Sequence, residues 1–136
     1  MKGNMEDIQN YLNCLWSGII ERHVFDIFNH SILFNIKVIN NGEQFHHQLK
    51  FNNVKAFYYL NDQSPFDPEG DDCLELTSVT FLKEKSKQIK VSCVSDEYPH
   101  LTTRTNFCLE IWGRELIIEA SAVDIDGKLF DVGLSH

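Results

Sequence analysis

The sequence predicts an α+β fold that is mostly β. One N-terminal helix, residues 5–17, precedes an antiparallel meander of seven or eight strands over residues 24–125, arranged as a curled sheet or a partly closed barrel. Three observations predict this. Apolar residues recur at three- and four-residue intervals only near the N-terminus, and from Val24 onward the apolar period changes to two. The alternating runs are joined by turn-forming pairs, with no later helical stretch to serve as a parallel crossover.

The helix reading rests on Met5, Ile8, Leu12, Leu15 and Trp16, which form one apolar stripe. Asn4 is placed to cap it, Glu6 and Asp7 suit the positive end of the helix dipole, and Gly18 follows as a left-handed terminator. A helix this short is marginal alone, so its stripe must dock on the sheet.

In the first clear hairpin, Ile32, Phe34, Ile36 and Val38 alternate with Leu33, Asn35, Lys37 and Ile39. Asn40-Asn41-Gly42 supplies the positive-φ residues of a tight hairpin, and Phe45, His47, Leu49 and Phe51 share one face of the return strand. Asn52-Asn53 punctuates before a strand over 54–60. The stretch 61–72, rich in Asp, Pro and Gly, reads as a long loop. Strands over 74–82 and 88–94 follow as a hairpin, the first with a bulge where the apolar phase shifts between Leu76 and Val79. Residues 95–103 read as a connection. The last hairpin pairs 105–112 with 115–125 across Gly113-Arg114, and Asp126-Gly127 turns into a short tail.

The 136 residues suit a single domain, large enough to bury roughly two thirds of its unfolded surface without disulfides or metal. Twenty acidic against twelve basic residues leave a net charge of −8, a field that repels phosphate backbones and attracts basic partners. Nucleic-acid binding is disfavoured accordingly. No apolar run approaches the ~20 residues of a membrane helix, and the first residues lack the pattern of a secretory signal. Cys14, Cys73, Cys93 and Cys108 have neither CxxC nor zinc-site spacing, so reduced thiols in a cytoplasmic protein are expected.

Candidate chemistry is sparse. Asp67, Glu69, Asp71 and Asp72 crowd one loop, but the glycine and distal glutamate of a calcium loop are out of place, so an acidic solvated loop without metal is expected. His46 and His47 point to opposite faces and cannot share an ion. Glu110 and Glu119 are placed to face each other across the last hairpin, where two exposed acids on a solvated strand explain them equally well. None of the recognised nucleophile, phosphate-loop or metalloprotease signatures occurs, so neither catalysis nor a cofactor is expected. Phe57, Tyr58 and Tyr59 are consecutive, so at least one leaves the core side, and Trp112 is out of phase with Phe107, Leu109 and Ile111. Either these aromatics form an exposed interface, or the helix covers the second face of the sheet and buries them.

Ile8-Gln9-Asn10-Tyr11-Leu12 with Leu15-Trp16, Val54-Lys55-Ala56-Phe57-Tyr58-Tyr59-Leu60, and Leu109-Glu110-Ile111 with Ile118-Glu119-Ala120 resemble the YxiG-like family of small proteins from spore-forming Gram-positive bacteria. Such proteins occur near contact-dependent or wall-associated toxin genes, and the resemblance implies an immunity role. It transfers no catalytic or binding residue to this chain.

The resulting expectation is a non-catalytic acidic protein-binding module, an immunity protein that occludes a toxin. Asp67, Glu69, Asp71 and Asp72 would steer a basic protein partner, and Tyr58, Tyr59 and Trp112 would anchor it. The alternative is a small-ligand-binding β domain using a concave sheet face, which an apolar cavity lined by Phe and Tyr would favour.

Overall fold

Left-handed backbone positions mark several of the turns among the described residues. Of the turn read from Asn40-Asn41-Gly42, Asn41 (φ 53°) and Gly42 (φ 83°) are left-handed while Asn40 ends the strand before it, and Asp126 (φ 54°) and Gly127 (φ 88°) repeat the pair near the C-terminus. The structure is a computed structural model that describes residues 7–60, 74–82, 87–91, 101–111 and 114–132. Its elements in chain order are α1 (Ile8–Asn13), β1 (Gly18–Asp26), β2 (Ser31–Asn40), β3 (Glu43–Leu60), β4 (Leu74–Phe81), β5 (Lys87–Val91), β6 (Leu101–Thr105), β7 (Phe107–Ile111), β8 (Arg114–Ile125) and β9 (Lys128–Asp131).

Seven strands form one antiparallel sheet in the order β3-β2-β1-β4-β7-β8-β9, and β3 also pairs with β8. That extra pairing closes six of the strands into a ring, so the curled-sheet and mostly-β expectations both hold. Inward positions along the ring carry the core, including Ile32, Phe34, Leu49, Phe51, Phe107, Leu109, Leu116 and Ile118. Aromatic rings meet edge to face through its interior, with Phe34–Phe51 centroids 6.5 Å apart and Phe51–Phe107 4.9 Å apart.

Several local expectations change. The helix covers only Ile8–Asn13 and continues into turns in which Leu15 N–H donates to Leu12 O and Trp16 N–H to Asn13 O. Ile8, Leu12 and Leu15 are fully buried as the stripe requires, but Trp16 is 46% exposed. Met5 and the Asn4 cap lie outside the described residues. Ser17 (φ 64°), not Gly18, takes the left-handed position. Gly18 is required for space: a Cβ there would lie 2.4 Å from Ile36 Cγ2 and 2.8 Å from Leu15 O. Strand pairing therefore begins at Gly18 rather than Val24.

Asn52-Asn53 does not end a strand. Asn53 adopts φ 53°, Val54 N–H donates to His30 O, and the ladder with β8 shifts register between Val54 and Ala56. The bulge lets one 18-residue strand bend around the ring. The register shift of β4 against β7 falls between Leu76 and Ser78, at the break in apolar phase seen in the sequence. The residues read as a second β-hairpin separate: β4 pairs with β1 and β7, whereas β5 pairs with β6 in a two-stranded sheet. Part of the expected connection 95–103 is thus strand β6, and the expected C-terminal tail contains β9. Arg114 belongs to β8 rather than to the turn.

The helix plugs one end of the ring rather than covering a face. Tyr11 packs on Phe130 at 5.3 Å, and Lys128 Nζ donates to Tyr11 OH at 2.7 Å. β1 meets β4 only from Gly18 to Ile20, and Gln9 occupies part of the gap beyond. Phe81 N–H donates to Gln9 Oε1 at 2.8 Å, and Gln9 Nε2 donates to Val79 O at 2.9 Å. One helical side chain thereby supplies the hydrogen bonds a neighbouring strand would have made.

Candidate binding site at the open end of the ring

At the opposite end no described element plugs the ring. Alternation within each strand sends every second side chain inward, and at this end the inward set is Ile20, His23 and Phe25 from β1, Phe34 from β2, Tyr59 from β3, Ile111 from β7, and Arg114 and Leu116 from β8. Together they enclose a cavity of about 340 Å³. Phe34 and Leu116 are buried at its base, while Phe25 and Tyr59 are 36% and 55% exposed at its edge. Arg114 is itself buried and engaged within the protein.

The β1–β2 turn extends this edge. Its four residues, Ile27 to His30, follow the last paired positions Asp26 and Ser31. Asp26 fixes the turn: Oδ2 accepts from Asn29 Nδ2 at 2.7 Å and Oδ1 from Asn29 N–H at 3.2 Å. These bonds from the Asn29 side chain and backbone hold the Asp26 carboxyl below its ordinary pKa, with a small further contribution from Lys50. His30 closes the turn at φ 55°, and its carbonyl accepts the Val54 N–H at the β3 bulge. With the turn tied at both ends, Ile27 and Phe28 project outward, 63% and 89% exposed.

Phe25 joins turn and cavity. Its ring lies 5.2 Å from Phe57, 6.1 Å from Phe34 and 6.0 Å from His23. On its far side a shallower groove of about 260 Å³ runs between the turn and residues 54–58. The three consecutive aromatics divide as strand geometry demands. Phe57 and Tyr59 stay in phase with the inward residues Ile118 and Leu116, and Tyr58 turns to the other side. The outer face of β8 near Ile117 and Glu119 is buried where β6 lies against β8 and β3, so a strand, not the helix, covers it.

Of the sequence-derived anchors, Tyr59 lines the cavity and Tyr58 the neighbouring groove. Trp112 and the acidic set Asp67, Glu69, Asp71 and Asp72 lie outside the described residues. Sequence reasoning missed Phe25, Ile27 and Phe28. Their signal was an apolar triplet interrupted and followed by turn formers, Phe25-Asp26-Ile27-Phe28-Asn29, where a polar turn would be ordinary.

Glu110 and Glu119 do not face each other. Glu110 stands opposite Glu115, while Glu119 is buried opposite Ala56 with Lys55 Nζ 4.0 Å away. The two adjacent histidines do point apart: His46 Nδ1 lies 3.3 Å from Glu21 Oε1, and His47 Nδ1 lies 2.6 Å from Asp126 Oδ2. Those partners, far away in the chain, were invisible to the sequence. Among the described residues no group of three His, Cys, Asp or Glu side chains is arranged to hold a metal ion, and no helix is long and apolar enough to cross a membrane.

No curated protein matches the chain. The family profile of the YxiG-like proteins matches residues 8–130, from the first helical residue to the buried Phe130 of β9, and the chain belongs to that family.

Proposed function

We propose that this protein is a non-catalytic protein-binding module that uses the open end of its ring, and that it serves as an immunity protein occluding a toxin. One observation carries the surface. Ten large apolar side chains are exposed among the described residues, and six of them, Phe25, Ile27, Phe28, Phe57, Tyr59 and Leu60, belong to this one end. Exposed apolar groups scattered singly need no explanation, whereas a contiguous set beside a concavity marks a contact surface. Aromatic side chains fixed by a rigid hairpin and a bulged strand also lose little conformational freedom on binding, which suits them as anchors.

The charge supports the choice of partner. A net charge of −8 speeds encounter with a basic protein and screens out acidic ones. Asp67, Glu69, Asp71 and Asp72 are the proposed steering residues, and Tyr58, Tyr59 and Trp112 the proposed anchors, together with the rim aromatics. Occlusion of a toxin as the purpose follows what the YxiG-like resemblance implies. The mechanism needs no reacting group: the rim covers the partner's working surface and excludes its target.

The test is parallel affinity capture with the native chain and the Phe28→Asp variant, followed by measurement of affinity and of toxicity relief with the captured protein. The native chain should retain a basic protein at low salt and less of it at high salt. Phe28→Asp should weaken that complex by roughly 30-fold or more, the effect of losing a central anchor, without lowering Tm. Equal affinity of both proteins for the partner would remove the rim from the interface. A captured partner without toxicity would overturn the immunity role and leave the binding surface.

A further inference from the structure

We propose that the cavity inside the open end is a binding site for a neutral, apolar small molecule about the size of a two-ring aromatic. This inference does not depend on the protein partner, because the rim residue Phe28 is not part of the cavity wall.

Size comes first. A cavity of about 150 Å³ with purely apolar walls holds a single benzene ring. The space here is about 340 Å³, roughly twice that, and lies at the lower end of the range of ligand pockets. The hollow is not a necessary consequence of a six-stranded ring. At the other end of the same ring the chain fills the interior with Ile8, Leu12 and Leu15, each fully buried. At the end bounded by Phe25, Tyr59 and Ile111, by contrast, no described residue fills the interior.

The wall decides the chemistry. Ile20, Phe34, Ile111 and Leu116 form the base and sides, and Phe25 and Tyr59 present ring surface at the entrance. Two cationic side-chain types are present. Arg114 is buried and has an interaction within the protein, and His23 is exposed at the edge with its ring against Phe25. Among the described residues that line the cavity, the remaining walls are aliphatic or aromatic, with no carboxylate or amide to read a polar head group. Water in such a space finds few hydrogen-bond partners, and an apolar molecule that replaces it gains contact with aromatic and aliphatic walls at little cost in protein order. Selectivity would follow shape and neutrality, not hydrogen bonding.

The experiment is a fluorescence titration of the whole chain with N-phenyl-1-naphthylamine, a neutral two-ring probe, with naphthalene and 1-naphthoate as competitors. Saturable one-to-one binding in the micromolar range is expected. Naphthalene should compete at least tenfold better than 1-naphthoate. Ile111→Trp, which fills the cavity, should weaken the probe at least tenfold, while Ile39→Ser, at an exposed site on the distant β2–β3 hairpin, should leave its affinity unchanged. In methyl NMR spectra of the native chain, Ile20, Ile111 and Leu116 should shift on addition of naphthalene and Ile8 and Leu12 should not. The NMR arm decides the matter if Ile111→Trp fails to fold. Absence of saturation, preference for the anion, or shifts confined to the helix end would overturn the proposal.

Discussion

At one end of the ring Ile8, Leu12 and Leu15 are fully buried under a short helix; at the other, Phe25, Tyr59 and Leu60 remain 36%, 55% and 55% exposed around a hollow. Both ends are built from the same strands, β1 to β4, β7 and β8, and both are rich in apolar side chains. The difference is who supplies the cover. The N-terminal segment closes one end from within the chain, using Gln9 to replace a missing strand partner and Gly18 to let the turn approach Ile36. The open end holds its exposed aromatics in a turn tied at both ends, and none of the described residues covers them. The closed end therefore serves stability and the open end recognition, and mutations at the two should divide along that line.

The largest effect is expected from Leu12→Ala, which removes a fully buried side chain from the plug. It should cost about 2–5 kcal/mol, read from the denaturant midpoint. Ile27→Ala, at the opposite rim and 63% exposed, should stay within about 0.5 kcal/mol. Equal costs at the two sites would end the comparison. Next comes Gly18→Ala. The added methyl overlaps Ile36 Cγ2 and Leu15 O, and because the second is backbone, relief requires the turn itself to shift, at about 1–3 kcal/mol.

A smaller loss, about 1–2 kcal/mol, is expected from Gln9→Ala, which strands the Phe81 N–H and leaves the Val79 carbonyl only the 3.4 Å bond from Trp16 Nε1. Hydrogen exchange should identify it specifically: protection at Phe81 should fall while protection in β2 and β3 stays unchanged. Uniform loss of protection would mean that Gln9 acts through the helix rather than as a substitute strand neighbour.

The smallest effect concerns the rim turn. The Asp26 carboxyl titrates below its ordinary range in the folded chain because Asn29 hydrogen-bonds its charged form. Its contribution to stability is therefore complete above the unfolded aspartate pKa of about 3.9. That contribution is lost as pH falls through the lower folded value. In Asn29→Ala the Asp26 carboxyl should titrate at higher pH by NMR, with global stability at neutral pH little altered. An unmoved titration would show that Asn29 does not hold the turn.

Much of this arrangement was legible before folding was considered. The apolar stripe marked the helix, the Asn40-Asn41-Gly42 run marked a hairpin, and the phase change in β4 marked its irregularity, because each is a local property of a few consecutive residues. The end of the helix was misread because Gly18 has two uses, conformational freedom and absence of bulk, and sequence cannot tell which is in play. Asn52-Asn53 looked like a break because asparagine favours left-handed backbone, and a bulge uses that conformation without interrupting a strand. At the site, Tyr58 and Tyr59 were visible as an aromatic run. Phe25, Ile27 and Phe28 were not, because their role depends on a turn standing beside the end of β3, 30 residues further along the chain.

By itself, the sequence determined that one N-terminal helix precedes a mostly β chain, which residues prefer the core, and the sign of the net charge. Composition and short-range spacing encode those properties directly. Only the tertiary structure decided that β1 joins β4, that β3 reaches β8 to close a ring, and that the helix fills one end of that ring while leaving the other hollow. A strand's period states which side chains point inward but not which strand will lie beside it. Partner choice follows from packing the whole set of apolar faces at once, and a cavity is what that packing leaves unfilled.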